Sequence, residues 1–226
     1  MPTLNNGNYP VDSFALSREH GNSGFDVRQR AVMNLYQPNI GRGKTFLSGG
    51  FAGRVFEGWQ ISGIAQWQTG TPYDIFGPLD TLHTGLADRA TVINSSVLKA
   101  VPSTGRVNSS GGVFTGFNPA AFNLEDGISA PIPWGIPSAV VRNNWYGPGI
   151  NRWDVALAKN TAITERMKLQ LRFEFYNLFN RVWFAKPDNL LADVATGQFG
   201  YSTATMTQSD GTTSARQIQL GAKLTF

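Results

Sequence analysis

Between Met167 and Phe179 the chain reads MKLQLRFEFYNLF, and apolar and polar side chains alternate without a break as far as Tyr176. Met167, Leu169, Leu171, Phe173 and Phe175 fall on one side; Lys168, Gln170, Arg172, Glu174 and Tyr176 fall on the other. A period of two predicts a β-strand with unlike faces. Wound as a helix, the same residues would scatter Arg172, Glu174 and the phenylalanines around every side. INRWDVALAKNTAIT, from Ile150, sets Trp153, Val155 and Leu157 against Asp154, Ala156, Ala158 and Asn160, and a tight turn at Thr164 and Glu165 links the two runs. The segment RQIQLGAKLTF sets Ile218, Leu220, Ala222, Leu224 and Phe226 against Gln217, Gln219, Gly221, Lys223 and Thr225. Earlier, residues 25–37 place Phe25, Val27, Ala31, Met33 and Leu35 on one face, and residues 54–69 do so with Trp59, Ile61, Ala65 and Trp67. A further strand is expected at about 199–207, and a short one is compatible with Ala90–Ile93.

Between these runs the pattern dissolves. Residues 1–24 read as a loop or amino-terminal extension, and about 78–149 as a long loop region rich in Gly, Pro, Ser and Asn. The expected fold is all-β, with about six to eight long antiparallel strands in up-and-down order and alternating short turns and long loops. Such long loops are natural on the outer face of a transmembrane barrel, so residues 25–226 read as a barrel segment.

Alternation alone fits a soluble sandwich as well as a barrel. Three features favour lipid against the apolar face. The runs are longer than the usual five or six residues of globular strands. Aromatic residues gather near strand ends (Trp59, Trp67, Tyr73, Trp153, Phe179, Trp183, Phe184 and Phe226), where interfacial girdles lie. Lys168, Arg172, Glu174 and Lys223 stand in mid-strand on the polar face, which a wet lumen tolerates. Composition agrees: charged residues are 15%, below the roughly 25% of soluble domains, aromatics are 12%, and there are 25 glycines. No apolar run approaches the roughly 18 residues of a membrane helix. The lumen-facing candidates are therefore Asp154, Lys168, Gln170, Arg172, Glu174, Gln217, Gln219 and Lys223; the lipid-facing ones include Ile218, Leu220, Leu224 and Phe226.

Candidate chemistry adds little. There is no cysteine, and the net charge of +4 is spread over scattered lysines and arginines, which argues against a nucleic-acid partner. PNIGRGKT at 38–45 lacks the first glycine of a P-loop and is not followed by a helical pattern, so a strand-connecting turn is expected there. His20 and His83 stand in loops without a second ligand nearby in sequence, and no metal or cofactor is expected. Asp154 and Glu174 could pair as glycosidase carboxylates, but a network with Arg152, Lys168 and Arg172 accounts for them better. Trp59, Trp67, Trp153 and Trp183 could stack on sugars; interface anchoring is the preferred reading. No catalytic residue, and hence no enzyme, is expected.

Short motifs in a fixed order add a resemblance. They are FEGWQISGIAQWQTGTPY at 56–73, FNPAAF at 117–122, YGPG at 146–149, WDVALAKN at 153–160, FEFYNLFNRVWF at 173–184 and the terminal RQIQLGAKLTF. This set resembles the end of the barrel in Oar-like TonB-dependent outer-membrane receptors. The resemblance implies a place in the outer membrane of a Gram-negative bacterium and a part in substrate uptake. Its implied partners are outer-membrane lipid, the barrel-assembly machinery reading the terminal Phe226 strand, the remaining barrel strands and plug, and TonB through that plug. MPTLNNGNYP has neither the charged nor the apolar region of a signal peptide, so the chain reads as a fragment carrying an incomplete barrel. The alternatives are a small complete barrel acting as an adhesin or structural protein, and a soluble carbohydrate-binding β-sandwich.

Overall fold

The computed structural model describes residue 10 and residues 16–40, 56–78, 87–123, 141–206 and 214–226. Its strands are β1 (Arg30–Ile40), β2 (Trp59–Gln68), β3 (Pro72–Tyr73), β4 (Val113–Phe114), β5 (Trp145–Tyr146), β6 (Ile150–Ala162), β7 (Lys168–Tyr176), β8 (Tyr201–Ser202) and β9 (Gln217–Thr225). The chain divides into two compact units: a sheet unit of residues 29–68, 150–182 and 207–226, and a loop unit of residues 1–28, 69–149 and 183–206.

The sheet unit is one antiparallel sheet in the order β1-β2-β6-β7-β9. Its register keeps each face uniform across strands. Leu157 pairs with Phe173 and Phe173 with Leu220; Val155 pairs with Phe175 and Phe175 with Ile218. One residue along, Ala156 meets Glu174 and Glu174 meets Gln219. Because the side-chain period is two, slipping any strand by one residue would mix these faces, so the pattern itself fixes the register. The sheet is open: among the described residues β1 and β9 each have one unpaired edge, and the barrel is not closed.

Five long strands are present among the described residues, against the six to eight expected. The run expected at 199–207 is not a long strand among the described residues: Tyr201–Ser202 pairs with Val113–Phe114 in the loop unit, and Thr205 bridges Phe184. Gly197 and Gly200, both at positive φ, curl the backbone just before Tyr201. The expected strand at 25–37 begins instead at Arg30, and Phe25 belongs to the loop unit.

Where described, residues 78–149 hold only the two-residue strands β4 and β5 and two short 3-10 turns, yet they pack with the rest of the loop unit. Tyr73, Ile75, Ala90, Phe117, Ala121, Phe122, Leu191 and Phe199 form its core, with Trp145 packed against them. Phe122 meets Trp145 and Phe199 edge-on at 5.8 Å, and Phe117 meets Trp145 at 4.8 Å. FNPAAF is the hub of this core. The Asn118 side chain accepts from the Ala120 N–H (2.9 Å) and donates to the Ala100 carbonyl (3.1 Å), so a 3-10 turn at Pro119–Ala121 points both flanking phenylalanines inward. Two other motifs pair with each other, Pro72 with Tyr146 and Tyr73 with Trp145. Gly70 lies so close to the Gly147 carbonyl that a Cβ would sit 2.0 Å from its oxygen. Tyr73 and Trp183, counted above among interfacial aromatics, are 5% and 2% exposed. The loop unit belongs to the chain as a packed structure, and these two rings are interior to it.

Candidate functional site

The polar face of the sheet is built from β-strands whose inward and outward residues differ in kind. On β6, Arg152 donates through Nε and Nη2, each 2.7 Å from Asp154 Oδ2. The other Asp154 oxygen accepts the Asn177 N–H at 2.9 Å. On β7, Arg172 Nη2 lies 2.7 Å from Glu174 Oε1, and the Tyr176 hydroxyl donates to Glu174 Oε2 at 3.1 Å. Ala158 and Gly221 flank Arg172 on the neighbouring strands. These small residues leave the guanidinium free to lie along its own strand toward Glu174. Farther down, Gln170 donates to Asn160 (2.8 Å) and stands opposite Lys223. Lys168, opposite Thr225, is exposed beside the short turn, and Gln217 and Gln219 continue the polar face onto β9. A shallow cavity of about 290 Å3 opens on this face, with Ser62, Asp154, Glu174 and Tyr176 among its lining.

All eight residues expected on the polar face therefore share it, and Ile218, Leu220 and Leu224 share the opposite one, with Phe226 next in the alternation and 90% exposed. The apolar face carries aromatic groups at both ends. Trp153 packs edge-on against Trp67 (5.1 Å) and Phe179 (5.6 Å) near the start of β6. Trp59 stands at the other end of β2. At a rise of about 3.3 Å per residue, Trp59 and Trp67 lie about 26 Å apart along the strand. That becomes about 20 Å after the usual barrel tilt, close to the about 25 Å apolar band between aromatic girdles.

Two residues of this unit take roles that the alternation did not single out. Lys159 interrupts the apolar row, yet it is buried: its ammonium donates to the Glu57 carbonyl and lies 5.5 Å from the Trp59 ring centroid. A long stem lets the charge leave the apolar face for the strand end. Asn177 is 2% exposed at φ 52° and donates to the Arg181 and Ser214 carbonyls at 2.8 and 2.6 Å. The signal for it was present, since asparagine after a strand tolerates the left-handed conformation. The P-loop-like run places only Pro38 to Ile40 in β1, and the rest of it, like His83, lies outside the described residues. His20 is exposed.

The loop unit has its own charged centre. Buried Arg89 pairs with Glu19, and its Nε is 3.4 Å from Asp74 Oδ1. Asp74 also accepts the Asn143 N–H at 2.7 Å. Burial raises the Asp74 pKa, and the Arg89 charge and the Asn143 N–H act against it. Burial likewise raises Tyr73 and Asp188 and lowers Lys99 and Lys186. These residues are spread over some 170 positions, so no local motif announced them.

No curated protein and no solved structure matches the chain. No helix among the described residues is long and apolar enough to cross a membrane. Residues 2–219 match the family model described as outer membrane beta barrel domain, so the chain belongs to that family and is a protein of the outer membrane.

Proposed function

We propose that this chain is the carboxy-terminal part of the barrel of an Oar-like TonB-dependent receptor, and that it lines the path by which a substrate crosses the outer membrane. One observation carries the reading: a single sheet face that bears Arg152–Asp154 near the start of β6 and Arg172–Glu174 within β7, backed by a face that is apolar between aromatic ends. Charges so placed need water, which a wide lumen supplies and the core of a small barrel does not. The ordered motifs supply the family resemblance. In this reading Asp154, Lys168, Gln170, Arg172, Glu174, Gln217, Gln219 and Lys223 face the lumen, and Ile218, Leu220, Leu224 and Phe226 face lipid. The long connections lie outside the cell and the turn at 163–167 in the periplasm. The chain performs no bond-breaking chemistry, since each candidate carboxylate is already held by its own arginine. Energy comes from TonB through a plug domain, and the barrel-assembly machinery recognises the β9 strand.

Uptake in cells separates this from a passive barrel or an adhesin. Across a panel of radiolabelled sugars, peptides and iron chelates, deleting the gene region for this chain is expected to abolish accumulation of at least one compound. Dissipating the proton gradient or deleting TonB should do the same in the parent strain. Accumulation that survives both treatments overturns the energised-receptor reading.

A further inference from the structure

The loop unit contains a cleft of about 900 Å3, at the upper end of the range typical of small-molecule sites. Its walls are preset. Asn22 Nδ2 donates to the Asn143 carbonyl (3.0 Å), and Asn143 Nδ2 donates back to the Asn22 carbonyl (2.7 Å). Asn143 holds a φ of 51°, and Gly21 abuts Arg142 so closely that a Cβ would lie 2.1 Å from its carbonyl oxygen. A site fixed in this way loses little entropy when it binds.

The charges around the cleft are unequally engaged. Glu19 and Asp74 are both committed to Arg89. Asp188, beside the cleft, accepts the Leu190 N–H at 2.9 Å. Arg142 and Lys186 line the cleft from separate segments and make no ion pair among the described residues; Arg142 feels Asp74, and Lys186 feels Asp188 and Asp74 and lies 5.7 Å from the Tyr73 ring centroid. Phe25 also lines the cleft and is 85% exposed. Ser23 and Thr71 add hydroxyl groups to the same walls.

We propose that this cleft binds an acidic sugar, its carboxylate held between Arg142 and Lys186 and a ring face laid on Phe25. Two cations with no contact ion pair among the described residues keep hydrogen-bond donors open for one anionic group. An exposed ring matches the apolar face of a pyranose, and the hydroxyl and amide groups match its alcohols. The sugar would be the substrate of the proposed uptake, so its transport rests on that reading, whereas its binding is measured on the chain alone.

Calorimetric titration of the full chain in detergent micelles tests this with three probes: digalacturonate, neutral galactobiose and inorganic phosphate. Digalacturonate is expected to bind at least about tenfold more tightly than either other probe. Arg142→Ala and Lys186→Ala should each weaken it about tenfold. Phe25→Ala should weaken it without changing any residual phosphate affinity, and Arg166→Ala, on the exposed turn of the sheet unit, should change nothing. Equal affinity for galactobiose overturns the role of the cations, and equal affinity for phosphate overturns the sugar assignment. Absence of digalacturonate binding overturns the proposal as a whole. Binding without uptake in cells removes the transport reading and leaves the cleft. Energised uptake of another compound, with no binding of digalacturonate, does the reverse.

Discussion

Asn177 shows how much one side chain can fix where a strand ends. Its N–H donates to Asp154, its amide donates to two carbonyls, and its Oδ1 accepts the Arg181 N–H at 3.0 Å. Its own carbonyl accepts the Asn180 N–H at 2.8 Å, so the NLFN of the motif is a turn held from inside. Replacing it by alanine strands buried carbonyls and forces a Cβ-bearing residue without a local partner to positive φ. Asn177→Ala is expected to cost about 2–4 kcal/mol. Asn177→Asp, although the same size, should cost at least as much, because a buried carboxylate oxygen would then face the Arg181 and Ser214 carbonyls. Urea unfolding in micelles measures both. An aspartate variant within about 0.5 kcal/mol of the parent would refute this account of the turn.

At the scale of elements, the sequence made the sheet readable and left the loop unit obscure, for one physical reason. A strand with unlike faces writes its environment into every second residue, so Leu169, Leu171 and Phe173 declare their face without knowledge of any partner. The loop unit's core draws Tyr73, Phe117, Phe122, Leu191 and Phe199 from separate segments, one or two residues at a time. Such a core has no period to detect. The same holds for the cleft, whose Glu19, Arg142 and Lys186 meet only after folding. On β9 both faces are exposed: Leu220 is 70% accessible, and Gln219 is exposed as well. In water, lysine at either position would therefore cost about the same, and the difference between them is what lipid adds. In lipid vesicles carrying the assembled barrel, Leu220→Lys is expected to destabilise by about 2–4 kcal/mol and Gln219→Lys by less than about 1 kcal/mol. Equal costs for the two, or a larger one for Gln219→Lys, would reverse the assignment of faces.

For the whole molecule, topology constrains what a membrane can accept. β1 and β9 expose unpaired backbone among the described residues, and a hydrocarbon core gives such groups no hydrogen-bond partner. Both edges therefore require pairing strands in the assembled barrel. Antiparallel order also separates two kinds of connection. The chain passes between the two units after Arg28, Gln68, Gly149, Val182 and Met206, always at the strand ends marked by Arg30, Gln68, Ile150, Tyr176 and Gln217. At the opposite ends β1 and β2 are joined by residues 41–58 and β6 and β7 by residues 163–167, both shorter than the connections 69–149 between β2 and β6 and 177–216 between β7 and β9. In outer-membrane barrels the long connections face the medium and the short turns face the periplasm, so loop length predicts sidedness. The chain has no cysteine, so an introduced thiol is the only one among these 226 residues. Ser109→Cys, in the loop unit, and Glu165→Cys, in the short turn, both replace exposed residues. A membrane-impermeant maleimide added to intact cells is expected to label the first and to spare the second until the outer membrane is permeabilised. Labelling of the turn alone in intact cells would invert the orientation.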